Sequence, residues 1–230
     1  MSAETTTAYA ADADAKRLYR IGGISAISLG VAYVIIFPLY ARVGAPPSGG
    51  EAWLTYLVGK TTVWWAILGL SVLTDFLFVP VAFSLFFALK DVNRNTTLLA
   101  TAFVGLFVVL DLALTWSNYA ALLTLSGGYA AATSDAQRAT YIAAANYASA
   151  MLGSRLFVVY AIAVLSFAIL MIGFVMLKGV FSKTTAYLAL ITGVLGIVSV
   201  AGWSVTIILN AIFATIWILF VGFGLRRLAR

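Results

Sequence analysis

Of the 230 residues, 63% are hydrophobic and 10% charged; the formal net charge is +6 and the mean hydropathy +1.05. Soluble domains run about 45–50% apolar and about 25% charged, so this chain cannot clothe itself in polar groups and takes the lipid bilayer as its solvent. Its fourteen Lys and Arg residues cluster between apolar runs, a pattern of membrane topology rather than of nucleic-acid binding. The lack of Cys and His excludes disulfides, thiolate chemistry, histidine-held haem or zinc and a Ser-His-Asp triad.

Residues 1–20, "MSAETTTAYAADADAKRLYR", are polar and alanine-rich and are expected to form a cytosolic tail ending in a basic collar. No separate signal-peptide core precedes the first long apolar run, so that run is expected to act as an uncleaved insertion signal. Residues 21–230 then read as one membrane domain with spans at about 21–41, 62–89, 96–123, 155–177, 184–201 and 205–225. The last two share one unbroken apolar stretch from Thr184 to Leu225, whose length as a helix is about twice the hydrocarbon thickness. It must turn back, and "AGWSV" at 201–205 supplies the place, with Gly202 breaking the helix and Trp203 at the interface.

Basic residues set the orientation. With the N-terminus inside, the inner segments carry ten Lys and Arg and the outer segments four (Arg42, Lys60, Arg138 and Arg155). That bias predicts both termini on the cytoplasmic side of a cell membrane, and an even number of spans agrees with it. Two outer loops are longer than connection requires. In one, "GAPPSGG" precedes the short amphipathic "EAWLTYLVGK", expected to lie at the headgroups. In the other, Ser134 and Gln137 have the spacing of a capping box and predict an outer helix over 135–151, stopped by Gly153, with its placement open. The fold class is thus an all-α integral membrane protein: a bundle of six transmembrane helices with an additional amphipathic outer helix.

Two carboxylates interrupt the apolar spans. Asp75 lies eighteen residues before Asn93, the centre of the 90–95 inner loop, and Asp111 lies eighteen after it. In an antiparallel hairpin each sits about 27 Å along its helix from that loop, so the two share a depth. Asp111, Thr115 and Asn118 stand at i, i+4 and i+7 on one helical stripe, and Ser71 stands one turn before Asp75. A carboxylate costs several kcal/mol in lipid and must face the bundle interior, a partner or water. Ser71, Asp75, Asp111, Thr115 and Asn118 are therefore the expected interior polar patch, and Pro80, five residues past Asp75, weakens the helix beside it.

Three roles suit such a patch: hydrogen-bonded glue between helices, a proton or cation pathway, and catalysis by an aspartate pair. Intramembrane aspartyl proteases resemble the last arrangement, but their Gly-x-Gly-Asp is absent from "VLTD" and "VVLD". Arg155, at the start of the fourth span, is either an interfacial anchor or a charge partner for Asp111 or for the outer helix. The tryptophans fit interfacial belts and packing. Gly22, Gly23, Gly30, Gly193 and Gly196 are expected to let helices approach closely, and Thr192, Asn210 and Thr215 to offer hydrogen bonds between helices.

The stretches "RIGGISAISLGVAYVI" (20–35) and "MLKGVFSKTTAYLALITGVLGIVS" (176–199) resemble a prokaryotic multi-spanning membrane family, the domain of unknown function 4386. That resemblance implies a polytopic membrane protein and carries no catalytic motif. The expectation is a non-enzymatic membrane protein, a small transporter or accessory subunit centred on Asp75 and Asp111, with an intramembrane hydrolase as the alternative. No cofactor, metal or nucleic acid is expected; the partners are the bilayer and a second copy or another membrane subunit.

Overall fold

The computed structural model describes residues 2–230, with side chains from Ala13 onward, and the described residues are helical with no strand among them. The elements are α1 (Ser2–Val43), α2 (Gly50–Tyr56), α3 (Thr61–Leu110), α4 (Ser117–Ala131), α5 (Asp135–Leu152), α6 (Arg155–Val158), α7 (Val164–Met176), α8 (Lys183–Val198) and α9 (Ser204–Leu228). A π-helical segment, Asp111–Trp116, joins α3 to α4; a second, Val159–Ala163, joins α6 to α7. Five helical stretches are long and apolar enough to cross a membrane: Ala13–Val43, Thr61–Ala131, Arg155–Met176, Lys183–Ala201 and Ser204–Leu228. Their outward faces carry Ile24, Val31, Phe76, Phe83, Val109, Phe174, Val194 and Ile208, an apolar surface suited to lipid.

The 71-residue stretch is not straight. Asn93 leaves helical geometry at φ −158°, ψ 92°, and its side-chain Oδ1 accepts from the Thr96 N–H at 3.1 Å, so it caps a second arm. The arms fold against each other: Phe78 and Phe107 meet edge to face at 5.7 Å, although a straight helix would hold them about 43 Å apart. The expected six-residue inner loop over 90–95 is thus a one-residue break. The second arm also runs on to Ala131, beyond the expected end at 123, because nothing in "LSGGYAA" stops it before the extended Ala132.

At the N-terminus, no backbone break marks the expected boundary at residue 20, because α1 continues through it. The expected tail falls partly on Met1 and the side chains of 2–12, which lie outside the described residues. The turn expected at 201–205 occurs at Gly202, whose φ of 85° suits a residue without Cβ. Ser134 Oγ accepts from the Gln137 N–H at 3.3 Å and opens α5 as the capping spacing predicts, while Gln137 Oε1 reaches back to the Thr133 N–H at 3.0 Å. This outer helix packs on α4 and α2. α2 does not lie free at the headgroups: Trp53 and Leu54 are buried, and its first N–H groups are held from α5, Gly49 by Ser149 Oγ at 2.9 Å and Gly50 by Asn146 Oδ1 at 2.8 Å.

The apolar interior is divided in two. One cluster runs between α1, α3, α7, α8 and α9, with Leu29, Phe78, Leu85, Phe107, Ile169 and Trp217 at its centre. The other gathers Trp53, Leu57, Trp64, Ile67, Tyr119 and Leu122 under α2 and α5. Trp53, Trp64 and Trp217 are buried and serve the packing expected of the tryptophans, whereas Trp65 and Trp203 are exposed. Close approach at glycine joins α8 to α7, where a Cβ on Gly193 would lie 2.8 Å from the Leu170 Cα, and α1 to α9, where a Cβ on Gly23 would lie 3.1 Å from the Gly222 carbonyl oxygen.

Candidate functional site

Between the two apolar clusters lies a polar layer. Ser71, Thr74 and Asp75 come from the first arm of α3, and Asp111 and Thr115 from the π segment; all five are buried, Asp75 at 1% exposure and Asp111 at 5%. The depth match read from the distances to Asn93 places the two carboxylates side by side. Their meeting point is Trp116: its indole N–H donates to Asp75 Oδ2 at 2.9 Å and to Asp111 Oδ2 at 3.1 Å. The two acceptor oxygens are thereby held within about 6 Å of each other, the limit set by the two bonds.

The π segment makes this possible. In an α-helix, residue i+5 lies about 140° around the axis from residue i, so Trp116 would point away from Asp111. A π turn bonds i to i+5 and stacks them on one face. Sequence reasoning at the α period selects Asn118 for the stripe and passes over Trp116. In the structure Asn118 is half-buried and its Nδ2 bonds back to the Leu114 carbonyl at 2.5 Å, so it does not join the pair. Ser117 likewise bonds back to the Ala113 carbonyl, as hydroxyls do where a helix ladder is loosened.

Around the pair, Thr74 Oγ1 donates to the Ser71 carbonyl at 2.6 Å, so Ser71 serves through its backbone. Tyr33 of α1 brings its phenol against Thr74 on the Asp75 side, a contribution the α3 stripe alone does not reveal. Above Trp116, Tyr119 stacks on Trp64 at 5.2 Å, and Trp53 and Tyr56 continue the ring contacts toward the surface. Two buried oxygens on the Asp111 side have no hydrogen-bond partner: Asp111 Oδ1 and Thr115 Oγ1.

Arg155 is not the counter-charge. It stands exposed at the start of α6, and among the described residues no carboxylate pairs with it. Among the described residues no basic side chain lies on either Asp75 or Asp111, and no three His, Cys, Asp or Glu side chains converge as a metal site would need. A second, smaller polar cluster ties the other helices: Asn210 Nδ2 donates to the Thr192 carbonyl at 2.8 Å and to Ser166 Oγ at 3.5 Å. Thr215 bonds the Ala211 carbonyl of its own helix and does not bridge helices.

Fold and site together define an all-helical bundle with membrane-length apolar helices around a buried, indole-bridged carboxylate pair. No family model matches the chain, and no curated protein or solved structure matches it.

Proposed function

We propose that this chain is a proton-handling membrane protein that crosses the cell membrane six times, with both termini cytoplasmic, and that Asp75 and Asp111 hold and exchange a proton. The observation that carries the reading is the single indole N–H serving two buried carboxylates. Two negative charges within about 6 Å of each other repel strongly away from water, and no basic side chain among the described residues offsets them. A shared proton removes the conflict. The fold-back at Asn93 supports six crossings, and the ten-to-four bias of basic residues supports the orientation. Kinship with the domain of unknown function 4386 family, on residues 20–35 and 176–199, belongs to the same reading.

The separation of the carboxylates also suits a water-activating dyad, the hydrolase alternative. The Trp116 N–H, however, occupies the space between them that an attacking water would need, and this favours proton handling. The test is dissipation of a pH gradient in proteoliposomes. Flux is expected in the parent, falling at least about tenfold in Asp75→Asn and in Asp111→Asn. Equal flux in all three proteins sinks the carboxylate pathway; no flux in the parent points instead to a structural or accessory role.

A further inference from the structure

We propose that protons reach the pair through the cleft where the two π segments face each other, with the Thr115 hydroxyl as relay to Asp111; this rests on the proton-handling reading above. Leu114 and Thr115 form one wall of the cleft, and Met151, Ser154, Phe157 and Tyr160 form the other. Its volume is about 10 Å³, the room of one water-sized species, so it admits a proton carrier and little else. The cleft exists because packing is interrupted on both sides at one level. The first π segment bears Thr115, the second lies directly across from it, and no residue of α6 or of the second segment is fully buried. Local π turns of this kind recur at functional sites, since the widened turn frees backbone and re-aims side chains.

The two unpartnered buried oxygens mark the route inward. Thr115 is 3% exposed and Asp111 5%, and they stand one turn apart on the same helix, Thr115 on the cleft side. The Thr115 hydroxyl faces the Asp111 carboxylate, and no group from any other element bonds either Thr115 Oγ1 or Asp111 Oδ1, so the hydroxyl stands between the cleft and the carboxylate. In the relay, the Thr115 O–H passes its proton to Asp111 Oδ1, and the same hydroxyl oxygen takes one from a hydronium ion in the cleft. The carboxylate becomes a carboxylic acid, the hydroxyl is restored and water is left behind.

The chain has no cysteine, so one introduced thiol is the only one present. Phe157→Cys lines the cleft; Val58→Cys, exposed in the turn between α2 and α3, is the control. Modification by a cationic methanethiosulfonate reagent, confirmed by mass in both, is expected to cut pH-gradient dissipation at least about fivefold in Phe157→Cys and to leave Val58→Cys unchanged. Thr115→Val should lose at least about tenfold, with a thermal midpoint like the parent's, and Thr115→Ser should retain flux because it keeps the hydroxyl. If Asp111→Asn abolishes flux while Thr115→Val and modified Phe157→Cys conduct like the parent, the port and relay are wrong and the carboxylate site stands. If the parent conducts nothing, both fall.

Discussion

Asp111 and Trp116 stand one above the other, five residues apart, because the turn between them is π rather than α. That one extra residue turns an indole that would otherwise point away from Asp111 into the donor that bridges two carboxylates from different helical arms. Trp116→Phe removes the N–H together with the five-membered ring of the indole, so it loses packing as well as the bridge. Hydrogen bonds to charged groups contribute about 1.5–3 kcal/mol, so the loss should be larger by about that range in the parent than in an Asp75→Asn, Asp111→Asn background. Denaturant unfolding in detergent measures both. An identical loss in the two backgrounds would mean that the indole acts by packing alone.

The depth of the pair was legible in the sequence, since rise per residue converts two equal distances from Asn93 into a shared level. The turn at Gly202 and the start of α5 at Ser134 were legible for the same kind of reason: local chemistry determines them. Trp116 was not, because a stripe drawn at 3.6 residues per turn passes through Asn118, and nothing in "DLALTW" announces a π turn. The burial of Trp53 was hidden as well. Its amphipathic segment has the same composition whether it faces headgroups or docks on α5, and Asn146 and Ser149, some 96–100 residues away, decide which. Arg155 carried only a charge and a position near a span end, and neither reports helix rotation.

A π segment is an α-helix with one residue added, which gives a second prediction. Deleting Ala113, which is exposed, should return Asp111–Trp116 to α geometry with residue 116 now at i+4, still over Asp111. The bundle beyond it keeps its register, so the thermal midpoint should fall only by a few degrees, about 1 kcal/mol or less. Deleting Val109, equally exposed but in α-helix, rotates everything after it by about 100° and should prevent folding. Equal damage from the two deletions, read by thermal unfolding in detergent, would contradict the geometry.

Close helix approach is unevenly distributed, and alanine scanning of glycines should expose this. A Cβ on Gly193 would lie 2.8 Å from the Leu170 Cα and 2.9 Å from its backbone N, atoms that cannot swing aside. Gly193→Ala must therefore push α7 from α8 and should cost about 1–3 kcal/mol. Gly69 and Gly105 have no atoms within 4 Å of such a Cβ. Alanine there should be neutral or stabilising by up to about 1 kcal/mol, since it only removes backbone freedom from a helix. A destabilised Gly105→Ala would indicate a contact with another chain on that face.

The attachment of α2 to α5 rests on two side chains. Asn146 Oδ1 and Ser149 Oγ accept from the Gly50 and Gly49 N–H groups, and these bonds hold the segment that buries Trp53 against Trp64 and Tyr119. Asn146→Ala and Ser149→Ala should each cost about 0.5–1.5 kcal/mol. Because they act on one short helix, the double variant should loosen α2 locally before the bundle unfolds. Hydrogen exchange is the discriminating measurement: amides of 50–57 should exchange at least about tenfold faster in the double variant, while those of 81–89, in the cluster between α1, α3, α7, α8 and α9, stay protected. Uniform acceleration across both clusters would show that α2 is part of one cooperative core rather than a docked cap.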